Sequence, residues 1–260
     1  MNIVEAYIKF NKQLIILVSG LSGSGKTQLA TEIERDFKIK KINIENYCND
    51  SHDIRVELQP NVTIMDWDHI DSYNWDKIND DVEKNKSNGI VVCGPYFITD
   101  KIKFNPDFHI SIKISKQQLI QRRKEFIKQN PELCKELIQH IDTPIETMIV
   151  NRITYPHYLE YIEKSKVTKY INAFDLNNDQ IYDQVADYLF AEIKKLLPNN
   201  QHQDQNQTND HKHKKKNYPP NDDTELEYND DISDSSSTVQ MSSVYLGTTH
   251  NIRDIIRSMK

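Results

Sequence analysis

The chain has 260 residues, 37% hydrophobic and 28% charged, with a mean hydropathy of −0.72. That length allows one or two domains, but the composition is too polar for a uniform globule, and no run approaches the roughly 18–20 apolar residues of a membrane span. A formal net charge of −6 argues against a basic nucleic-acid binder, and three cysteines without a CxxC pair (Cys48, Cys93, Cys134) support neither a disulfide framework nor a zinc knuckle.

In chain order, Met1 to Phe10 carries apolar residues at helical spacing (Ile3, Val4, Tyr7, Ile8). It lacks a cationic leader and a small-residue cleavage site, so no secretory signal is expected and a reducing, cytoplasmic setting is the default. Leu14 to Val18 is an unbroken apolar run, as a strand buried on both faces requires. Thr27 to Phe37 reads as a helix and Lys41 to Ile44 as a short second strand. A helix is expected from Trp75. Ile90 to Cys93 forms a third strand, closed by Gly94-Pro95. His109 to Ile114 alternates polar and apolar residues, which predicts a less buried fourth strand. Lys116 to Gln129 is helical, and Ile145 to Lys164 is helical with a break at Pro156. Lys169 to Ala173 is a fifth strand and Asp179 to Leu197 a closing amphipathic helix. Strand–helix alternation of this kind predicts a three-layer α/β/α fold with a five-stranded parallel sheet.

This periodicity stops after Pro198. Residues 199–260 mostly do not read as folded: from the break to Ser237 large apolar groups are few, so that segment cannot bury enough surface to offset its ordering entropy, and a disordered C-terminal tail is expected. Within it, His211 to Lys216 is basic, and Asp222 to Asp234 holds seven acidic residues and no basic one. At its end Ile252, Ile255, Ile256 and Met259 share one helical face, so a short helix over 250–259 is a candidate docking element for a protein partner. The domain boundary is thus placed at 198/199.

The strongest chemical signal is Gly20-Leu21-Ser22-Gly23-Ser24-Gly25-Lys26-Thr27, which matches G-x-x-x-x-G-K-[ST] between an apolar strand and a helix. Glycines let successive N–H groups turn inward toward phosphate oxygens, and the helix start adds its positive end. Gly20, Ser22, Gly23, Ser24, Gly25, Lys26, Thr27 and Gln28 are therefore the expected ATP-binding residues. Lys26 is expected at the β- and γ-phosphates and the Thr27 hydroxyl at Mg²⁺. Glu45 follows strand two, 19 residues after Lys26. Neighbouring parallel strands open their carboxyl ends on one crevice, so Glu45 is the candidate base for an attacking hydroxyl and a candidate metal ligand. Both tryptophans lie in Asp66-Trp67-Asp68-His69-Ile70-Asp71-Ser72-Tyr73-Asn74-Trp75-Asp76, interleaved with aspartates. Carboxylates beside flat rings suit a polyol acceptor.

At these residues the chain resembles the uridine kinase and nicotinamide riboside kinase family of P-loop kinases. The resemblance implies that Glu45 is the catalytic base, in place of the family's usual Asp. It also implies that Asp68 contacts ribose hydroxyls, that Tyr47 lies beside the acceptor, and that Arg122 and Arg123 clamp the transferring phosphoryl, with Arg152 as a further acceptor-side arginine. Two departures stand out. Cys93 replaces the acidic residue that the family carries after strand three, and the insertion that reads the pyrimidine in uridine kinases is absent. The expected function is transfer of the ATP γ-phosphoryl to the 5′-hydroxyl of a nucleoside or riboside, with a small molecule and no membrane or nucleic acid as partner. A catalytically weak nucleotide-binding module with a recruiting tail, and a kinase for a non-nucleoside metabolite such as pantothenate, are the alternatives.

Overall fold

The computed structural model describes residues 2–49, 51–60, 62–129 and 144–198. The readings for the tail, its basic and acidic blocks, the helix over 250–259 and Cys134 lie outside the described residues.

The chain opens with α1 (Ile3–Asn11), whose start is closed by a reciprocal box between Asn2 and Glu5. It continues through β1 (Ile15–Gly20), α2 (Lys26–Phe37), β2 (Lys40–Asn43) and a short 3₁₀ turn, Ile44–Asn46. A two-stranded hairpin, β3 (Arg55–Gln59) and β4 (Val62–Met65), precedes α3 (Trp75–Asn85) and β5 (Ile90–Gly94). Then come β6 (Phe108–Lys113), α4 (Lys116–Gln129), α5 (Ile145–Ile149), α6 (Tyr155–Glu163), β7 (Lys169–Asn172) and α7 (Asn178–Leu196). The main sheet has five strands in the order β2-β5-β1-β6-β7, and every pairing in it is parallel. The expected architecture is thus present.

The apolar run of β1 is divided by the pleat. Leu14, Ile16 and Val18 join a core with α1, α2 and α7, through Val4, Leu29, Ile33, Val185 and Leu189. Ile15 and Leu17 face the other way, onto Ile78 and Val82 of α3 and Tyr161 of α6. Helices therefore cover both faces, which is why β1 has no polar alternation until Ser19. Leu17 is fully buried, and its truncation to Ala would cost about 2–5 kcal/mol.

Three features differ from the expectations. First, β6 is not half-exposed: His109 and Ser111 are both buried. The polar side chains of its alternation are satisfied internally, His109 against Ser19 and Ser111 against Tyr158. Second, the β3–β4 hairpin was not foreseen. Its strands are short, and its pairing shifts register between Glu57 and Gln59, which blurs a period-2 signal. Third, the break in the helical stretch before residue 164 lies ahead of Pro156, as a π-helical turn over Val150–Thr154. Proline has no N–H and its ring presses on the carbonyl four residues back, so one wider turn accommodates it. No helix among the described residues is long and apolar enough to cross a membrane.

Candidate active site

The phosphate loop joins the end of β1 to the start of α2. Gly23 and Gly25 adopt positive φ, +78° and +92°, a region that L side chains enter only at a cost. At Gly20 an added Cβ would lie 2.6 Å from Ser24 Oγ and 2.8 Å from the Ile112 carbonyl, so the first loop position admits no side chain. Ser24 N–H donates to the Leu21 carbonyl at 3.0 Å, which closes the turn. The Ser24 hydroxyl is buried and has no hydrogen-bond partner among the described residues. Two other elements hold the loop from its flanks. Arg122 Nη1 on α4 donates to the Gly23 carbonyl at 2.7 Å, and Asn178 Nδ2 at the start of α7 donates to Gln28 Oε1 at 2.6 Å.

Lys26 is only 4% exposed, and its Nζ is 3.1 Å from Glu45 Oε1. Glu45 sits on the 3₁₀ turn after β2, and β2 runs beside β5 with Asn43 opposite Cys93. The carboxylate, the loop lysine and Cys93 therefore meet at the carboxyl end of the sheet. Burial, followed by the charge of Glu45, pushes the Cys93 thiol up to about 12, against the opposing pull of Lys26, Lys41 and a Thr27 hydrogen bond. Cys93 is thus a neutral group in contact with the Thr27 side chain, and the local negative charge is supplied by Glu45.

These features fit a phosphate ester and its cation. An orphaned buried hydroxyl, a glycine-floored turn, a helix start and a buried ammonium converge on one point. Among the described residues no group of three or more His, Cys, Asp or Glu side chains is arranged to hold a metal ion. A magnesium here would rest on Thr27, Glu45 and the nucleotide's own oxygens.

Asp66 to His69 forms the second half of the site. Asp66 is buried; its Oδ2 accepts from His157 Nε2 at 2.7 Å, its Oδ1 from Asp68 N–H at 3.2 Å, and its carbonyl from His52 Nε2 at 2.6 Å. Asp68 Oδ2 accepts from Thr154 Oγ1 at 2.7 Å, and its carbonyl from the Tyr96 hydroxyl at 2.7 Å. Tyr96 follows β5 by two residues, and the Asn49 N–H bonds to the Ser72 carbonyl at 2.9 Å. These links tie the block to the segment after β5 and, through Ser72, to the segment that follows the Glu45 turn.

The remaining sequence candidates are placed differently. Arg123 is paired with buried Glu146 at 2.8 Å, joining α4 to α5. Arg152 Nη1 donates to the Leu58 carbonyl of the hairpin. The Tyr47 hydroxyl donates to Asp81 on α3 at 2.9 Å; burial, and after it that bond, pushes its ionisation up to about 12. Of the arginines expected at the transferred group, Arg122 reaches the loop and Arg123 is tied to Glu146. Thr154 and His157 are the site residues that sequence reading missed. Their signal was membership of the aromatic stretch Thr154 to Tyr161, which resembles the stretch after the lid of the riboside kinases but more often reads as core.

Comparison with known proteins bears on both halves of this site. Residues 12–98 match the adenylylsulphate kinase family model. The match takes in β1, the phosphate loop, Glu45, the Asp66–His69 block and β5, and it spans about a third of the chain. No curated protein matches the chain. Among solved structures, an uncharacterized protein from Eubacterium ventriosum ATCC 27560 is 16% identical, covering 69% of this chain and 99% of its own, with a TM-score of 0.44. A gluconokinase from Sinorhizobium meliloti 1021 is 13% identical, covering 71% of this chain and 95% of its own, with a TM-score of 0.43.

Proposed function

We propose that the chain is an ATP-dependent kinase acting on a hydroxyl of a small molecule, the 5′-hydroxyl of a nucleoside or riboside. The observation that carries this reading is the carboxylate of Glu45 at 3.1 Å from the phosphate-loop lysine. A proton acceptor set beside the phosphate lysine suits in-line attack by an alcohol. ATP supplies the γ-phosphoryl and Mg²⁺ neutralises its charge. Gly20 to Gln28 hold the phosphates, with Thr27 and Glu45 toward the metal. Lys26 leaves its ion pair to meet the phosphate, which frees Glu45 to take the hydroxyl proton. Asp68 accepts hydrogens from the acceptor's other hydroxyls, and Arg122 keeps the loop in shape from the Gly23 side.

The charges on the acceptor side support a neutral or cationic acceptor. Arg55, Arg123 and Arg152 are engaged with Asp53, Glu146 and the Leu58 carbonyl, whereas Glu45, Asp66 and Asp68 contribute carboxylates. An anionic acceptor, such as adenylylsulfate or gluconate, would meet that acidity while these three arginines, among the described residues, are already paired. A pyridinium riboside or an uncharged nucleoside would not. The test is ADP release from ATP and Mg²⁺ with nicotinamide riboside, uridine, cytidine, pantothenate, adenylylsulfate and gluconate. Turnover confined to the ribosides is expected. Preference for an anionic acceptor would overturn the assignment, and ATP binding without any turnover would favour a nucleotide-binding module.

A further inference from the structure

Among the described residues, His52 and Tyr96 hold the backbone carbonyls of the Asp66–Asp68 block, whereas both of its carboxylates accept side-chain bonds from the stretch that runs from the π turn into α6. Thr154, the last residue of the π turn, bonds the Asp68 carboxylate, and His157, three residues on, bonds the Asp66 carboxylate. The wider π turn shifts the register of everything after it, and such turns recur at functional sites. His157 sits in a ring of titratable and charged neighbours. From the 66–71 segment these are Asp66, Asp68 and His69, the last with its ring edge-on at 5.8 Å. Asp71 lies behind His69, at 3.8 Å, and is itself paired with Lys101. From α6 they are Glu160 and Tyr161, whose ring is stacked on the imidazole at 5.2 Å. His52 is stacked on the other side of His69 at 6.2 Å, and the Trp67 ring lies 5.4 Å from His52. The negative groups outnumber the positive ones. The bond to Asp66 raises the imidazole's proton affinity above its ordinary value, and the burial that opposes it is the smaller effect.

We propose that His157 and Thr154 are positioning residues that clamp the Asp66–Asp68 block in its acceptor-binding form, and that the clamp loosens as His157 loses its proton. The inference rests on the kinase reading only for its kinetic consequence. Below its midpoint the imidazolium makes a charge-assisted bond to Asp66; above it only a neutral N–H remains, about half as strong. Asp68 is two residues from Asp66, so slack at one carboxylate is passed to the other. Neither His157 nor Thr154 is assigned a contact with the reacting atoms.

Two measurements on the full chain need no acceptor. The NMR titration of the His157 Cε1–H is expected to show a midpoint above the ordinary imidazole value of about 6.5. Tryptophan emission is expected to move with that same midpoint, to lose this step in His157→Gln, and to lose it in Trp67→Phe. A His157 midpoint at or below the ordinary value, or an emission step at the His157 midpoint that survives His157→Gln, would overturn the clamp. The kinetic arm uses nicotinamide riboside, with uridine as second acceptor. From pH 6 to pH 9 the acceptor KM of the parent should rise about five-fold, as expected for exchanging a charge-assisted for a neutral hydrogen bond, while the ATP KM stays level. In His157→Gln the acceptor KM should be flat with pH. Thr154→Val should raise the acceptor KM at every pH and leave the His157 midpoint in place; a KM equal to the parent's would remove Thr154 from the clamp. Absence of turnover with every acceptor would overturn the kinase reading, and the clamp would then stand or fall on the two titrations.

Discussion

Replacing Glu45 by Gln separates two roles that act with opposite sign. The Lys26–Glu45 contact is 3.1 Å long, with side-chain exposures of 5% and 22%. At an effective dielectric constant of about 20, the attraction at that separation is roughly 5 kcal/mol, and desolvation of the nearly buried ammonium takes back most of it. A net coupling of about 1–2 kcal/mol holds Lys26 in the resting protein, and incoming phosphate must displace it. Glu45→Gln removes that competitor, so ATP should bind roughly 5- to 30-fold more tightly in the presence of a chelator. Turnover with an acceptor should fall by about 10²–10⁴-fold, because an amide takes no proton. Titration with a fluorescent ATP analogue measures the first effect, with and without Mg²⁺; coupled ADP release measures the second. Binding that is unchanged or weaker without Mg²⁺ would show that Glu45 does not restrain Lys26, and full turnover would remove Glu45 as the base.

Gly20→Ala should abolish ATP binding, since its Cβ would press on Ser24 and on the Ile112 backbone; retained binding in the same fluorescence titration would contradict the loop geometry. In His109, 1% exposed, burial lowers the imidazole to about 4, whereas the unfolded chain takes up the proton near 6.5. The unfolded state therefore binds more protons between these values, so stability is full above about pH 6.5 and declines by about 3 kcal/mol as pH falls toward 4. Urea melts from pH 7 to pH 4 test this, and His109→Gln should remove most of that slope. Cys93 should resist alkylation at pH 8 in the native protein, being fully buried with its thiol pushed up to about 12, while half-buried Cys48 reacts before it; peptide mapping by mass spectrometry decides, and labelling of Cys93 ahead of Cys48 would contradict its burial.

Much of the nucleotide half was legible because its signals are local. An apolar run, a spaced set of glycines and an amphipathic helix follow one another within 24 residues, Leu14 to Phe37. Each reports backbone preferences that neighbours along the chain already impose. The β6 strand shows the limit of the same reading. Its alternating His109 and Ser111 have the period of a half-exposed strand, but β6 lies between β1 and β7, and its polar atoms are satisfied by Ser19, Lys166 and Tyr158. Burial there is decided by strand order, which periodicity does not contain.

The candidate site divides along the same line. The sequence by itself determined the phosphate loop, the strand–helix alternation, and the presence of candidate carboxylates. Tertiary structure decided which of them meet. Arg123 is drawn to Glu146 and Arg152 to the hairpin, whereas Arg122, beside Arg123 on α4, reaches the loop 99 residues away. His157 and Asp66 are separated by 91 residues and come together where α6 leaves the π turn before Pro156. Periodicity is a property of nearest neighbours along one chain. A site is a property of where several chain segments end, and only the packed sheet and its helices determine that.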